Sequence, residues 1–297
     1  MIILLMLLSF TVHGEENIIT FDNNLAINLS LHYQMLHFHH EGLFSSRGSK
    51  PLDAGIGFSY KRFSLGFKIQ LPFTFDYNAA FSDSPAWNFH YATESINMSF
   101  DYVGDMFVAN AYFTRYKHFY IEDSDVTDRE IDLEILSAGL FARWIIAHER
   151  LSLRSVYTLN RRQITSSGSP LMGFCIYYNS IFSQDSRASS YEPRQHYAYT
   201  SPLIGYSYSW VSQSGFFANL DLTVGLNYGF HINENDFVLM PLMFPNFTFG
   251  YHFKTWSFNM SFDTKIFFFV HSYEADNLDW RQLIKLNVTL FKVSKRF

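Results

Sequence analysis

One cysteine, Cys175, is the only thiol in this 297-residue chain. A lone cysteine excludes an intramolecular disulfide framework, and zinc-ribbon and thioredoxin-type spacings are missing with it. Cys175 is expected to fill an apolar slot. Charge is scarce too: 16% of residues are charged, with a formal net charge of −5 and an isoelectric point of about 6.2. That leaves no basic field, so nucleic acid is not an expected partner. Beyond the N-terminus, no run of roughly 18 apolar residues is available to make a membrane helix. The nucleophile elbow, the zinc-protease helix and phosphate-binding glycine loops are all absent, and no cofactor is expected.

Aromatic residues are abundant: 33 Phe, 19 Tyr and 5 Trp, within a 48% hydrophobic chain of mean hydropathy −0.04. They are arranged by alternation. Even positions from Phe216 to Phe230 are apolar, while Asn219, Asp221, Thr223 and Asn227 fall between them. Trp256 to Val270 repeats the pattern, with Ser257, Asn259, Ser261, Asp263 and Lys265 on the polar side. Strand side chains point to opposite faces in turn, so each run has one apolar and one polar face. These runs reach fifteen residues, against about 5–6 for a globular strand. A bilayer-spanning barrel wall needs strands of roughly 9–11 residues or more with one apolar face. A large all-β enzyme or lectin should have shorter strands and turns richer in Pro and Gly. The alternation predicts that an arginine at Leu222 meets lipid, and that one at Thr223 meets the lumen at far milder cost.

Alternating runs occupy 24–38, 53–61, 62–72, 87–102, 105–120, 131–147, 150–163, 171–182, 198–211, 214–230, 243–253, 254–271 and 281–297. Single-chain bacterial barrels have even strand numbers, with short turns at one end and longer loops at the other. Tight connections fall around Tyr60–Phe63, Val103–Asp105, Ala147–Arg150, Val211–Gly215 and Phe253–Thr255. Leaving 171–182 out of the wall makes tight and long connections alternate. The expected fold is therefore an all-β, transmembrane antiparallel up-and-down barrel of about twelve strands, with fourteen as the alternative. Segment 164–197 becomes a lumen or mouth insert. The apolar run Ile2 to Val12, followed by Val-His-Gly, suits a signal peptide over 1–14 and a barrel over 15–297.

Four segments together carry a resemblance. IGFSYKRFSLGFKIQLPF at 56–73, FTRYKHFYIED at 113–123, LSLRSVYTLNRRQITSSGSPLMG at 151–173 and GYSYSWV at 205–211 resemble a domain-of-unknown-function family of Bacteroidetes outer-membrane β-barrels. His118 and Arg162-Gln163-Ile164 depart from the family pattern. The resemblance implies a barrel of about this length in a Gram-negative outer membrane, and it implies no activity. The C-terminal Phe297 fits a substrate of the barrel assembly machinery. Near it, the apolar phase shifts from even to odd positions between Leu290 and Phe291, which calls for a β-bulge.

Lumen-facing positions are where selectivity resides. Lys68, Arg143, Arg154 and Arg162, with Gln70 and Asn160, are expected to line the interior opposite Glu94, Asp221 and Asp263. His37 and His39 share a strand face and are the weak candidates for a metal ion, although no partner set at zinc spacing follows. Ser166, Ser167, Gly168 and Ser169 are the insert candidates. A lipid hydrolase or acyltransferase would use one of these serines with a distant histidine. The plainer expectation is a turn with Gly168 at positive φ. The reading that follows is a narrow pore or structural envelope barrel in the outer membrane, in contact with its lipids and of unknown solute. The alternatives are that envelope-lipid enzyme, and a barrel binding surface glycans or proteins through loops 73–86 and 183–197.

Overall fold

The computed structural model describes residues 18–21, 25–40, 44–48, 51–75, 87–88, 94–121, 129–183, 194–232, 236–253, 255–274 and 277–297. In chain order the elements are β1 (Ile18–Thr20), β2 (Leu25–His40), β3 (Phe44–Gly48), β4 (Pro51–Tyr60), β5 (Phe63–Phe75), β6 (Trp87–Asn88), β7 (Glu94–Val103), β8 (Phe107–Ile121) and β9 (Arg129–Ile145). A single helical turn, α1 (Arg154–Tyr157), and β10 (Arg161–Gln163) follow. The chain then runs through β11 (Ser167–Ser183), β12 (Arg194–Val211), β13 (Phe216–His231), β14 (Asp236–His252), β15 (Trp256–Glu274) and β16 (Asn277–Arg296).

Twelve of these strands form a closed antiparallel barrel. From β4 through β5, β7, β8, β9 and β11 to β16, each pairs with the next, and β2 pairs with β4. The closing seam joins β16 to β2, from Arg281↔His40 down to Arg296↔Ala26. A sheet closed on itself leaves no free edge strand, so every wall strand has a hydrogen-bonded neighbour on both sides. The short strands β3 and β6 add to the rim away from the tight turns, on the ends of β2, β8 and β5.

The sorting of side chains is inverted relative to a water-soluble domain. On β13, Leu220, Leu222, Val224 and Leu226 point outward and are exposed, whereas Asn219, Asp221, Thr223 and Asn227 are buried in the interior. Period-two alternation makes this sorting automatic once one face is committed. The tight turns, the start of β2 and Phe297 lie at one end of the barrel, where the Phe297 N–H donates to the Leu25 carbonyl at 2.8 Å. Two of the turns need left-handed backbone, Lys61 at φ 53 and Gly215 at φ 109. A Cβ on Gly215 would stand 2.8 Å from the His252 carbonyl oxygen, so that turn requires glycine on two counts. The bulge expected near Leu290–Phe291 is present. The register against β2 slips between Thr289 and Phe291, leaving Leu290 and Phe291 both exposed on the outer face.

The strand count of twelve holds, but its membership differs from the sequence reading. Residues 171–182 lie inside β11, hydrogen-bonded to β9 and β12 along nearly their whole length. Segment 164–197 is therefore no insert: of its described residues, 167–183 and 194–197 are wall and 164–166 only lead into it. The excluded run is 150–163 instead, which leaves the wall after Ile145 and folds into the lumen. The Ala147–Arg150 turn opens this insert rather than joining two wall strands. The reason is environmental. On β11, Cys175, Tyr177 and Ile181 face an aromatic interior built with Tyr116, Tyr197, Tyr199 and Phe244. Outer residues Met172 and Ile176 are apolar as well, so the alternation of greasy and wet is blurred. In 150–163 the spacing of Leu151, Leu153 and Tyr157 imitates a strand, yet residues 151–156 are buried without exception.

Candidate functional site

The insert is a plug across the tight-turn end. Leu151 and Leu153 pack with Val103, Val108, Ile145 and Leu171 of the wall, and Tyr157 lies against the same cluster. This apolar contact fixes the plug's position, while polar contacts to the turns fix its orientation. Asp105, in the β7–β8 turn, receives three guanidinium groups: Arg62 at 3.1 Å, Arg154 at 3.5 Å and Arg161 at 2.6 Å. Arg154 also donates to the Lys61 carbonyl at 3.2 Å and to Asn160 Oδ1 at 3.2 Å, and Asn160 Nδ2 donates to the same Lys61 carbonyl. Burial lowers the Arg154 pKa first and the nearby Arg161 charge adds to that, with Asp105 opposing both.

Strand β1 completes the plug by pairing with β10, from Ile18↔Gln163 to Thr20↔Arg161. Arg296, almost fully buried, ties plug to wall. Its guanidinium donates to the carbonyls of Leu159 (2.7 Å), Phe253 (2.5 Å) and Trp256 (3.2 Å) and to Ser257 Oγ (2.6 Å). It also lies 3.9 Å over the Phe21 ring. Leu159 has a left-handed backbone, φ 57, which costs a non-glycine residue roughly 1–2 kcal/mol. The bond from Arg296 to its carbonyl helps to hold that conformation.

Above the plug lies a cavity of about 320 Å³. Four cations line it, Lys68, Arg143, Lys265 and Lys292, against three carboxylates, Asp101, Asp221 and Asp263. Asp221 is fully engaged: Arg143 Nη1 donates to both its oxygens at 2.9 and 2.8 Å, Tyr157 Oη at 3.0 Å and Thr223 Oγ1 at 3.2 Å. Arg143 Nη2 also donates to Tyr157 Oη at 3.3 Å, so wall and plug share one ionic knot. Burial first, then the Asp221 charge, raises the Tyr157 pKa, which keeps its hydroxyl protonated and donating. Lys292 Nζ donates to the Tyr157 carbonyl at 3.1 Å. Lys265 stands 4.4 Å over the Tyr112 ring and 4.8 Å over that of Phe141.

Of the residues singled out by sequence, Lys68, Arg143, Asp221 and Asp263 are brought together around this cavity. Gln70 accepts from the Ser95 backbone N–H at 2.9 Å, bridging two strands. Arg154, Asn160 and Arg162 are not wall residues. They belong to the plug, where Arg162 reaches the Gln213 carbonyl at 2.7 Å. The side chains of Glu94, His37 and His39 lie outside the described residues, as do loop positions 76–86 and 184–193. Among the described residues no group of three potential metal ligands occurs.

The insert candidates sit at the plug's exit into β11. Ser166 Oγ accepts from the Val211 backbone N–H at 2.9 Å, and Ser167 Oγ donates to the Arg150 carbonyl at 2.6 Å. Ser169 Oγ accepts from the Ala147 N–H at 2.8 Å. Gly168 is not at positive φ. It is strand backbone, and a Cβ there would collide with the Tyr206 ring. Sequence reasoning passed over Asp105, Tyr157, Lys292 and Arg296, and it placed Lys265 on the polar face without making it a candidate. Lys292 was findable: the bulge at Leu290 restores the inward phase at Lys292, Ser294 and Arg296. The same shift points Lys295 outward, over the rings of Trp256 and Phe297 at 5.3 and 4.9 Å.

The family described as a domain of unknown function, DUF4421, matches residues 18–290. No curated protein matches the chain. Among solved structures, an outer-membrane channel from Pseudomonas putida F1 aligns over 97% of this chain and all of its own, at 9% identity and a TM-score of 0.36. The Pseudomonas putida toluene transporter TodX aligns over 92% and 90%, at 8% identity and a TM-score of 0.33. OmpT, an outer-membrane protein of Vibrio cholerae, aligns over 88% and 97%, at 11% identity and 0.28. Each superposition is loose, and the barrel stands on its own hydrogen-bond ladder.

Proposed function

The chain belongs to the DUF4421 family, a domain of unknown function, and from that premise we propose that it is a gated solute pore of the Gram-negative outer membrane. The apolar outer wall supports the location, because contiguous exposed leucine, isoleucine and phenylalanine need lipid contact rather than water. A signal peptide over 1–14, bilayer lipids and the barrel assembly machinery as partners belong to the same reading.

The observation that carries the pore is the plug's attachment. It crosses the tight-turn end, seated on the wall by Leu151 and Leu153 and oriented by ionic and hydrogen-bonded contacts to turns, above all the three arginines on Asp105. Such contacts at a partly exposed site are individually weak, about 0–1 kcal/mol for an exposed pair. The charged cavity behind them is the path such a plug would close.

Planar-bilayer conductance tests the proposal. The intact barrel is expected to be mostly closed, with brief openings. Replacing 149–164 by a short Gly-Ser connection should give steady open-channel steps. Silence from that variant, with folding verified by heat-modifiable gel migration, overturns the pore and leaves a structural barrel.

A further inference from the structure

The wall is weakest along one junction, that between β14 and β15. Their ladder runs from His252↔Ser257 to Asn246↔Asp263, loses two rungs, resumes at Met243↔Ile266 and goes no further. Both strands continue. β14 stays paired to β13 out to Asp236↔His231, and β15 stays paired to β16 out to Glu274↔Asn277. Residues 236–242 make no ladder pairing with β15 among the described residues.

The cause is in the sequence. Pro241 and Pro245 lie four apart on β14, so their ring nitrogens face the same neighbour. β13 pairs straight through both, at Leu226 and Leu222, so the missing N–H groups are those due to β15. A proline cannot donate to a ladder and within sheets belongs on an edge. Pro202 of β12 leaves a similar gap against β13, but there pairing resumes at Thr200↔Tyr228 and continues to Tyr197↔His231.

The register puts Phe244 opposite Lys265 and Pro245 opposite Thr264. Lys265 is turned away, over the rings of Tyr112 and Phe141. Phe244 is buried on the inner side, edge-on to Phe141 at 4.9 Å between centroids, and lines the cavity together with Leu203. Leu242 and Met240 follow it on the inner side, both buried, while Met243 and Phe247 are exposed on the outer side. The junction is apolar on both faces. Parting it breaks few backbone bonds, which are what hold a wall shut in lipid. A charged solute crossing there would be left unpaired in hydrocarbon.

We propose that the β14–β15 junction is a lateral portal, through which small uncharged apolar molecules pass between the bilayer and the layer around Phe244, Leu242 and Leu203. The proposal goes beyond the pore reading, because it needs the wall to part and not the plug to move.

Photolabelling of the full-length barrel in lipid vesicles with 3-trifluoromethyl-3-phenyldiazirine, mapped by peptide mass spectrometry, tests it. This probe is an uncharged single ring that dissolves in the bilayer. Outer residues such as Leu222 should label throughout, and label should also reach Leu203, Leu242 and Phe244. Met243→Cys with Ile266→Cys, in a Cys175→Ala background, bridges the junction, since paired strand residues have the Cα spacing that a disulfide needs. Oxidation should cut interior label about tenfold, with outer label unchanged and reduction restoring it. Pro241→Val with Pro245→Val returns two ladder donors and should lower interior label about tenfold as well. The 4-carboxylate of the same probe should label the interior about tenfold less than the parent. Gel migration verifies the folding of each variant. Absence of interior label in the reduced barrel overturns the portal, as does equal interior label with the junction bridged and open. Equal interior label from the carboxylate overturns it too. Interior label together with a silent 149–164 variant removes the pore and keeps the portal. Conduction without interior label does the reverse.

Discussion

An arginine at Leu222 measures directly whether the outer face meets hydrocarbon. Leu222 is six positions beyond Phe216, the first residue of β13, and both side chains are exposed on the outer wall. At about 3.4 Å per residue and a tilt of roughly 40°, that places Leu222 about 15 Å above the tight-turn rim. The apolar band of such a barrel is about 25 Å tall, so Leu222 falls near its middle and Phe216 at its edge. Leu222→Arg should therefore destabilise the barrel by about 2–4 kcal/mol, and Phe216→Arg by about 0–1 kcal/mol. Urea unfolding in lipid vesicles, followed by tryptophan fluorescence and gel migration, reads both. Equal shifts for the two variants, or a Leu222→Arg shift below about 0.5 kcal/mol, would refute a lipid-facing wall. Thr223 is the wrong control, although alternation alone recommends it as a mild lumen site. Its side chain is buried and accepts from Arg143 Nη1 at 3.2 Å while donating to Asp221. Arginine there would set a second cation against Arg143 and is expected to be the most damaging of the three.

Three further outcomes follow from the plug and its seat. Asp105→Asn removes the carboxylate shared by Arg62, Arg154 and Arg161, and single-channel traces should show more frequent openings that increase further with salt. An opening frequency unchanged from wild type would mean that these contacts do not hold the plug. Arg296→Met strands three carbonyls and Ser257 and should cost about 3 kcal/mol in the same unfolding assay. Cys175 is fully buried, so maleimide should label it in urea and not in the folded barrel; rapid native labelling would place it elsewhere than the aromatic interior.

How far the sequence was legible varies by segment. On β13, outer leucines and inner asparagine, aspartate and threonine meet sharply different surroundings, so the alternation reads cleanly. The bulge at Leu290 was legible for the same reason, because a phase change in a period of two has a single cheap structural cause. On β11 the inner side chains meet other side chains rather than water, and the contrast on which the reading depends disappears. For Lys68, Arg143, Asp221 and Asp263, inward orientation followed from parity alone. That Arg143 and Asp221 touch did not, because β9 and β13 are separated by two other wall strands.

By itself, then, the sequence pointed to an antiparallel barrel of about twelve strands, with fourteen left open, to its apolar outer face and to the inward direction of Lys68, Arg143, Asp221 and Asp263. Each of these follows from a local period of two and from the need to pair every backbone group. Only the tertiary structure decided which run leaves the wall. Residues 150–163 and 167–183 compete for one place, and the outcome depends on what fills the lumen across from each. Asp105, Tyr157, Lys292 and Arg296 gain their roles from that choice: they lie far apart along the chain, and the plug is what draws them to one end of the barrel.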